Sequence, residues 1–531
     1  MKVAIDFGTS YTKLAYLNEQ GQPQLFRYPA SGGDEYVPTA VAYRQNGSRR
    51  QVAIGRLARV QVLNEPGVIF CENFKMLLPI ERREQWVAQG WASEDQPAAV
   101  TRDYFQQLLH DDAHAFVRQV GPISGLVVSV PEVWQKTPDN RGAEAVRRIF
   151  RDELGLPLLH LQSEPICAAA YYAYRYQQAE RREQRPPFSG NLLVCDVGGG
   201  TFDVALCRVA GRRIEVLDFD GNGERELGLA GVSFDRNAVR LAWQEVHQRE
   251  PELASVEFIE ALRAFEQVKI GQRNELEKLL QYQRESQDEF TGDAPLYSFM
   301  RRYKLTYDQI VAAFEPTRTG IAAVLGRIVA RATERRHSID RIAIVGGFGQ
   351  FPLVREAILS ALGVDEPELD VRYDPTMHGQ GEAHQRAFAI AYGAALIANE
   401  QVETVEYYPH SIGIYGLSEV NQLGVTSMII EANKLAASTG QLIYALTTNG
   451  QRREFVIRGE QTVGRLPIRL RIRGAGNWKL IKTSVERYPP RGTYHVGLSI
   501  DRSNLATLVF EPTKAGQERR AYDLGQLAFE G

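Results

Sequence analysis

The chain has 531 residues, 44% of them hydrophobic and 24% charged, and its 62 basic and 65 acidic side chains give a net charge of −3. These values are typical of a soluble globular protein with several domains, and they argue against a dedicated nucleic-acid or membrane-surface binder. Four scattered cysteines without a Cys-x-x-Cys spacing exclude a disulfide scaffold and predict reduced core residues.

The amino-terminal residues predict a hairpin whose turn consists of small residues. Residues 3–5 alternate as a strand, residues 6–11 form the turn, and residues 12–17 return as a second strand. Asp6 arrives before any signal-like apolar core has formed, and the longest apolar stretch, near 387–398, is too short to span a bilayer. The sequence therefore predicts a cytoplasmic protein without a membrane partner.

The same device recurs almost two hundred residues later. Residues 191–195 form a strand, residues 196–201 a glycine-rich turn, and residues 202–206 the returning strand. The chain therefore contains an internal duplication, with an aspartate at the end of the leading strand in each copy.

Strands and helices alternate around the two copies. The pattern predicts a strand at 126–130, an amphipathic helix at 140–154 and mostly helical structure over 234–280. A further strand, 341–345, meets a Gly-Gly pair before another helix. This alternation predicts a mixed sheet flanked by helices.

Two stretches predict connections between larger parts of the chain. Residues 175–190 are polar and contain Pro186 and Pro187, so we expect a loop between two lobes. Residues 399–408 follow the end of a helical pattern, and from Pro409 onward short alternating strands predict an all-β region. Its predicted strands include residues 442–446, 453–457, 468–472 and 495–500.

A strand that ends in aspartate before a turn of Gly, Thr and Ser can bind a metal-nucleotide. The small residues let backbone N–H groups approach phosphate oxygens, and the carboxylate can hold a hydrated magnesium ion. One such turn is more often an ordinary hairpin. Two copies, at Asp6 and Asp196, followed by the third turn at Gly346 and Gly347, indicate a nucleotide site.

The three turns resemble the motifs of a known ATPase fold. Residues 5–10, 196–203 and 344–347 are similar to the first phosphate, second phosphate and adenosine motifs of the actin, sugar-kinase and heat-shock ATPase fold. Within that fold the chain resembles the 70-kDa heat-shock (DnaK-type) chaperones. The residues that carry this narrower resemblance are 129–131, 163–165 with 168–170, 199–204 and 391–395.

The resemblance implies an α/β fold class and a particular division of the chain. A duplicated, actin-like (ribonuclease H-like) two-lobed ATPase domain would occupy residues 1–398, with one lobe at about 1–180 and the other at about 188–398. Residues 399–408 would form the interdomain linker. Residues 409–531 would form an all-β sandwich, similar to a substrate-binding domain, without a helical lid.

The resemblance also implies roles for individual residues. Asp6 and Asp196 would face each other across the cleft and position Mg²⁺ through water. Lys75 would neutralise charge at the γ-phosphate, while Asp203 and Glu164 would orient the attacking water or the water shell of the metal. The remaining residues implied in binding ATP or ADP are Gly8, Thr9, Ser10, Tyr11, Gly198, Gly199, Gly200, Thr201, Glu266, Lys269, Gly346, Gly347 and Phe348.

Several positions depart from the family pattern. The family's adenosine motif continues with an arginine that stacks on adenine, whereas this chain has Phe348, Gly349 and Gln350. His160 and Ser163 replace the residues that receive a J-domain co-chaperone, which argues against ordinary J-domain stimulation. The acidic, leucine-rich linker is replaced, and we expect a groove without a lid to release peptide quickly.

The downstream β region is similar to the family's peptide-binding sandwich. Residues 408–414 resemble its first strand, and residues 489–492 its later proline-glycine turn. Such a domain would bind extended apolar polypeptide through backbone hydrogen bonds and side-chain pockets. A generic β-sandwich that serves as an assembly surface explains the same pattern.

The sequence therefore predicts an ATP-dependent, chaperone-like protein that hydrolyses ATP slowly and couples nucleotide state to polypeptide binding. Its partner would be a polypeptide client or one dedicated protein, and a nucleotide exchange factor stays open as a further partner. The alternative is a nucleotide-binding scaffold or adaptor with little turnover. An actin-like filament former is a third hypothesis, which the appended β region disfavours.

Overall fold

The structure is a computed structural model that forms two compact units. The first comprises Met1–Val133 and Arg141–Val402, and the second comprises Trp134–Asn140 and Glu403–Gly531. The residues that the structure describes are 1–46, 49–91, 93–136, 141–183, 188–221, 230–286, 294–367, 369–374, 383–417, 426–436, 440–458, 466–472, 476–482, 488–501, 505–514 and 516–529.

The first unit is built from strands and helices in alternation, as the sequence predicts. Its strands are β1 (Lys2–Phe7), β2 (Tyr11–Leu17), β3 (Pro23–Leu25), β4 (Val37–Pro38), β5 (Ala40–Asn46), β6 (Arg49–Ile54), β7 (Ile69–Glu72), β8 (Gly125–Val130), β9 (Leu158–Ser163), β10 (Ser189–Val197), β11 (Phe202–Ala210), β12 (Arg213–Gly221), β13 (Pro295–Phe299), β14 (Tyr303–Thr306) and β15 (Arg341–Val345). Its helices are α1 (Gly55–Asn64), α2 (Arg83–Ala88), α3 (Pro97–Gln106), α4 (Phe116–Val120), α5 (Glu132–Lys136), α6 (Gly142–Arg147), α7 (Glu164–Glu183), α8 (Gly231–His247), α9 (Val256–Gly271), α10 (Arg273–Ser286), α11 (Tyr307–Glu334), α12 (Pro352–Ala361) and α13 (Ala383–Ala398).

The predicted duplication is confirmed by the pairing of the two leading strands. β1 pairs with β2 antiparallel and with β8 parallel. β10 repeats this arrangement, with β11 antiparallel and β15 parallel. In the first copy Asp6 lies opposite Lys13, and in the second Asp196 lies opposite Asp203. Each aspartate therefore occupies the same place at the end of a buried strand.

Two helices pack between the duplicated sheets. Buried residues of α7 and α13 share one apolar core with Ala4 and Val127 of the first sheet and with Leu192 and Val194 of the second. A Cβ on Gly393 of α13 would overlap the backbone of α7, so the two helix backbones lie in direct contact. This close packing joins the sheet that carries Asp6 to the sheet that carries Asp196.

The second sheet has a separate core on its outer face. Phe202 and Val204 of β11 pack there with the buried sides of α8, α9, α11 and α12. The helix α11 begins with a capping box in which Thr306 and Gln309 exchange side-chain and backbone hydrogen bonds. Helices on both faces leave the carboxyl ends of β1 and β10 to form a cleft.

One predicted loop is wrong over its first half. Residues 175–183 belong to α7, because Tyr172 and Tyr176 lie one turn apart and stay in the core despite the charged residues that follow. Pro186 and Pro187 lie outside the described residues, and β10 begins at Ser189. The predicted helix 140–154 continues beyond α6 as one π-helical stretch, Arg148–Glu153.

One further expectation from the sequence is confirmed. The four cysteines are free and buried, as expected of reduced core residues. Within the described ranges, no helix combines the length and apolar character needed to cross a membrane.

From Glu403 onward the second unit is all-β where the structure describes it, as predicted, whereas its residues 134–136 belong to α5. Its strands are β16 (Glu403–Val405), β17 (Ser411–Tyr415), β18 (Thr426–Ile430), β19 (Ile443–Tyr444), β20 (Glu454–Ile457), β21 (Ile468–Arg471), β22 (Trp478–Lys482), β23 (Gly492–Ile500), β24 (Leu505–Pro512), β25 (Arg520–Gln526) and β26 (Ala528–Phe529). One sheet has the order β18-β17-β21-β22-β26, and another has β19-β23-β24-β25 with β20 also on β23. Their inner faces share one core that contains Ile412, Leu470, Val496 and Leu508.

The predicted fold class is therefore confirmed: a duplicated, two-lobed α/β unit is followed by an all-β sandwich.

Candidate functional site

A cavity of about 530 Å³ opens where the two duplicated strands end. Every site residue predicted from the sequence lines this cavity, with the exception of Asp203. Asp203 is fully buried behind the wall, opposite Asp196 in the β10–β11 ladder. The cleft thus collects residues that lie up to several hundred positions apart in the chain.

The two glycine turns face each other across this cavity. A Cβ on Gly199 would lie 2.5 Å from the Ser10 hydroxyl oxygen, and one on Gly200 would lie 2.5 Å from the Thr9 hydroxyl oxygen. Any larger residue at either glycine would fill the space between the turns. The loops therefore form the narrow, small-residue cradle that a phosphate chain requires.

Neighbouring elements hold each turn in place. Thr39 donates its hydroxyl to the Gly8 carbonyl at 2.9 Å and its backbone N–H to the Ser10 carbonyl at 2.9 Å. On the other side, the first N–H groups of α8 bond the second turn: Val232 donates to the Gly199 carbonyl at 2.8 Å. Neither turn depends on a ligand for its conformation.

One buried and one half-buried lysine balance part of the acidic charge. Lys75, 3% exposed, donates to Glu164, 5% exposed, at a distance of 2.5 Å. Lys13 donates to the Asp6 carboxylate at 2.7 Å, and Ser129 donates to its other oxygen at 3.3 Å. Asp6 is thereby satisfied within the protein.

The other aspartates are less well compensated. Within the described part of the chain, one oxygen of Asp196 and both oxygens of Asp203 are buried without a hydrogen-bond partner. Burial raises the pKa of Asp196 well above its ordinary value, and the negative charges of Glu164, Asp203 and Asp6 raise it further. Burial likewise raises the pKa of Asp203 to about 8. The negative charge of Glu164 also raises this pKa, whereas an interaction with Thr201 lowers it. Burial also raises the pKa of Glu164, against the opposing charge of Lys75.

These charges fit a hydrated divalent cation. Four carboxylates face two lysines, and the unpartnered oxygens of Asp196 and Asp203 lack the compensating charge that a cation would bring. Across the part of the chain that the structure describes, no three potential ligands come close enough to hold a metal ion directly. The donor set therefore suits Mg²⁺ held through water, which is how this ion commonly binds.

The opposite end of the cavity is lined by aromatic and cationic side chains. Lys269 forms an ion pair with Asp235 at 2.6 Å, and its ammonium nitrogen lies 5.2 Å from the centre of the Phe348 ring. Arg273 donates to the side chain of Gln350 at 2.9 Å. These groups provide flat apolar surface and hydrogen-bond donors for a nucleoside.

A polar bridge crosses the cleft beside this end. Tyr11 donates its hydroxyl to Glu266 at 3.0 Å. Arg59 lies 3.6 Å from the same carboxylate and donates to the Tyr11 hydroxyl at 3.3 Å. The bridge joins α1 in one lobe to α9 in the other.

Sequence reasoning missed several residues of the site. Lys13 had a usable signal, because a hairpin around residues 6–11 places it opposite Asp6. Thr39, Asp235 and Arg273 carried no local signal, since their contacts depend on how distant elements pack.

Replacing Asp203 with Asn should change how stability depends on pH in the absence of metal and nucleotide. With a pKa of about 8, the folded Asp203 keeps a proton that the unfolded chain loses near pH 4. The free energy of unfolding contributed by this group therefore falls as the pH rises from about 4 to 8. Between those pH values, the free energy of unfolding of the variant should rise by roughly 2 to 5 kcal/mol relative to that of wild type.

Urea denaturation in EDTA at pH 5 and pH 8 measures this difference, with exposed Asp365→Asn as the control. A difference between wild type and Asp203→Asn that is the same at both pH values would contradict the buried, uncompensated state of Asp203.

Comparison with known proteins agrees with this geometry. The family model described as Hsp70 protein matches residues 80–406. The chain is 26% identical over 496 residues to a protein of Synechocystis sp. (strain ATCC 27184 / PCC 6803 / Kazusa) named Chaperone protein dnaK1. This alignment covers 87% of the chain and 64% of the relative, so the chain spans slightly less than two thirds of that relative's length. Since the family model covers more than half of the residues, the chain belongs to the Hsp70 family.

Proposed function

We propose that the cleft binds ATP or ADP together with Mg²⁺ and hydrolyses ATP slowly to ADP and phosphate. The observation that carries this proposal is the convergence of two glycine turns with buried Asp6, Asp196 and Lys75 in one cavity. Members of the Hsp70 family are ATPases, which supports the same reading. The phosphates would lie between the turns and the nucleoside at the end lined by Phe348.

Mg²⁺ would be held by Asp6 and Asp196 through its water shell. When bound, the ion supplies positive charge to the phosphate oxygens on which negative charge accumulates during transfer. Asp6 is oriented for this by Lys13 and Ser129, while one oxygen of Asp196 is buried and has no hydrogen-bond partner among the described residues. The carboxylates thus come preset, and little reorganisation is needed when nucleotide enters.

Lys75 and Glu164 would act at the terminal phosphate. The lysine is buried and oriented by Glu164, so its charge is little screened by water. Asp203 lies behind the wall and would influence the attacking water through Thr201, with which it interacts. A pKa of about 8 lies close enough to cellular pH for a fraction of these carboxyl groups to be ionised and to accept a proton, and the positive charge of a bound cation would enlarge that fraction.

The second unit would bind polypeptide, and nucleotide state would control that binding. Two antiparallel sheets around one apolar core support this assignment, because sheet edges can pair with an extended chain. The partner is then a polypeptide client, with one dedicated protein as the alternative.

A direct assay separates the hypotheses. Purified chain is mixed with ATP and Mg²⁺, and nucleotide binding and phosphate release are followed together. Slow phosphate release that is lost in Asp203→Asn supports the ATPase, whereas tight nucleotide binding with equal, negligible release in both proteins supports the scaffold.

Light scattering that rises after ATP addition would indicate a filament. A competition experiment distinguishes clients from a dedicated partner. In it, a panel of unfolded proteins competes with any native protein that co-purifies with the chain.

Weakening the bridge across the cleft should accelerate nucleotide release. Glu266→Gln removes the charge that faces Arg59 and also changes the acceptor of the Tyr11 hydroxyl. Because the ion pair is partly exposed, we expect release of fluorescent ADP to rise only about 2- to 5-fold in stopped-flow measurements. The matched control is exposed Glu275→Gln, which removes the partner of Lys278. A double-mutant cycle with Arg59→Gln isolates the pair, and additive effects would contradict the bridge.

A further inference from the structure

A second cavity, of about 310 Å³, lies between the lobes beside the nucleotide cleft. One lobe contributes Phe70, Glu72 and Trp91, and the other contributes Leu262 and Arg263. Ser10, Asp235 and Glu266 line both cavities. A ligand in the second cavity would therefore contact both lobes and adjoin the nucleotide without occupying its site.

Arg263 is the most informative residue of this cavity. Its Nη1 donates to the Arg59 carbonyl oxygen at 2.6 Å, and its guanidinium carbon lies 4.7 Å from the centre of the Phe70 ring. Its Nε and Nη2 atoms are buried and have no hydrogen-bond partner among the residues that the structure describes. Buried donors of this kind each cost about 1 to 3 kcal/mol when they remain unpaired.

The same edge of the guanidinium binds carboxylates elsewhere in this chain. Arg240 donates from Nε and Nη2 to the two oxygens of Glu250, at 3.0 and 2.9 Å. Arg318 uses the same two nitrogens on Glu315, at 2.7 and 2.6 Å. This parallel pair of N–H groups matches the spacing of two carboxylate oxygens. Arg263 thus carries two unpaired donors in the arrangement that binds a carboxylate, at a residue that lines the cavity.

The surrounding charges favour a single negative charge. Arg236 donates only to the side-chain and backbone oxygens of Gln89, which carry no charge. Arg59 faces Glu266, and Asp235 is already paired with Lys269. When Arg59, Arg236 and Arg263 are counted against Glu72 and Glu266, the cavity has one excess positive charge. A monoanion balances that charge better than a phosphate dianion.

The remaining lining combines apolar side chains with a few uncharged polar ones. The apolar side chains include Val62, Phe70, Trp91, Leu253, Ile259 and Leu262. A volume of about 310 Å³ is at the small end of the range for ligand cavities, which suits one ring or a short branched chain. An occupant should therefore join a compact apolar body to a single anionic group.

We propose that this cavity is a binding site for a small amphipathic carboxylate. The carboxylate lies on the Nε and Nη2 edge of Arg263, and the apolar body lies against Phe70 and Leu262. Because the occupant contacts both lobes, it holds them together and slows the release of nucleotide from the neighbouring cleft. The binding step stands by itself, whereas the effect on release rests on the proposed function.

Binding is tested on the full chain without nucleotide. Isothermal titration with indole-3-carboxylate is compared with neutral indole-3-carboxamide, which has the same shape. We expect the carboxylate to bind, the carboxamide to bind at least 10-fold more weakly, and Arg263→Met to lose at least 10-fold in affinity for the carboxylate. Arg240→Met, which removes an exposed arginine, serves as the matched control.

Glu72→Gln gives a test that does not depend on removing Arg263. This variant deletes the competing negative charge of the cavity, so it should bind indole-3-carboxylate several-fold more tightly than wild type. Equal affinity for carboxylate and carboxamide, or no detectable binding to wild type and Glu72→Gln, would overturn the site.

Release of fluorescent ADP in saturating indole-3-carboxylate tests the effect on nucleotide. We expect the carboxylate to slow ADP release from wild type about 2- to 10-fold. The same addition should leave the release rate of Arg263→Met unchanged. Unchanged release from carboxylate-bound wild type overturns the bridging effect. Carboxylate binding by a chain that takes up no nucleotide supports the site and overturns the proposed function, so the two failures are distinguishable.

Discussion

Replacing Lys75 with Met is expected to lower ATP turnover about 100-fold or more. The ammonium group is buried at the nucleotide cavity and held by Glu164, so it acts in a region where water screens charge poorly. Removing one positioned charge from a phosphoryl-transfer site typically costs two to three orders of magnitude in rate. Nucleotide binding should change less, because both glycine turns and their supports remain.

The experiment needs a second variant because Lys75→Met leaves Glu164 buried without its partner. Lys75→Met combined with Glu164→Gln removes both charges and should restore stability but not turnover. Lys278→Met, at an exposed position, is the matched control. Phosphate release is measured under single-turnover conditions alongside binding of fluorescent ATP. Turnover within 3-fold of wild type in the double variant would contradict the assignment of Lys75.

Replacing Gly393 with Ala is expected to destabilise the first unit by at least ~3 kcal/mol. The added Cβ would overlap the Cys167 carbonyl and lie 3.1 Å from the Tyr171 nitrogen, both in the backbone of α7. Backbone atoms inside a helix cannot move aside as a flexible side chain can, so α7 and α13 must separate. Their shared core joins the two sheets, and nucleotide affinity should fall together with stability.

Gly326→Ala in α11 supplies the control for this prediction. That glycine is also inside a helix, but it is exposed and has open space around its Cβ position. There the change should stabilise the protein by about 0.5 to 1 kcal/mol through helix propensity. Urea denaturation followed by far-ultraviolet circular dichroism compares the two variants. Equal stability of Gly393→Ala and Gly326→Ala would show that the helices can separate at little cost.

Most of the glycine-turn end of the cavity was predictable from short segments. Asp6 and Asp196 each end a buried strand before a turn of small residues, and that local pattern carries both backbone conformation and chemistry. Strand periodicity and the repeat of the same turn also indicated the duplicated α/β unit and the all-β region. Local signals suffice where function depends on a turn formed by adjacent residues.

The neighbours that tune those residues required the folded chain. Thr39 supports the first turn from β4–β5, and Asp235 neutralises Lys269 from another helix, although neither belongs to a motif. The unpaired edge of Arg263 follows from the fold, in which its Nη1 reaches the Arg59 carbonyl in the opposite lobe and no described residue partners its Nε or Nη2. Even the end of α7 was decided by Tyr172 and Tyr176 staying in a core assembled from distant strands. Backbone turns follow from neighbouring residues, whereas burial and charge compensation follow from long-range packing, which no short segment encodes.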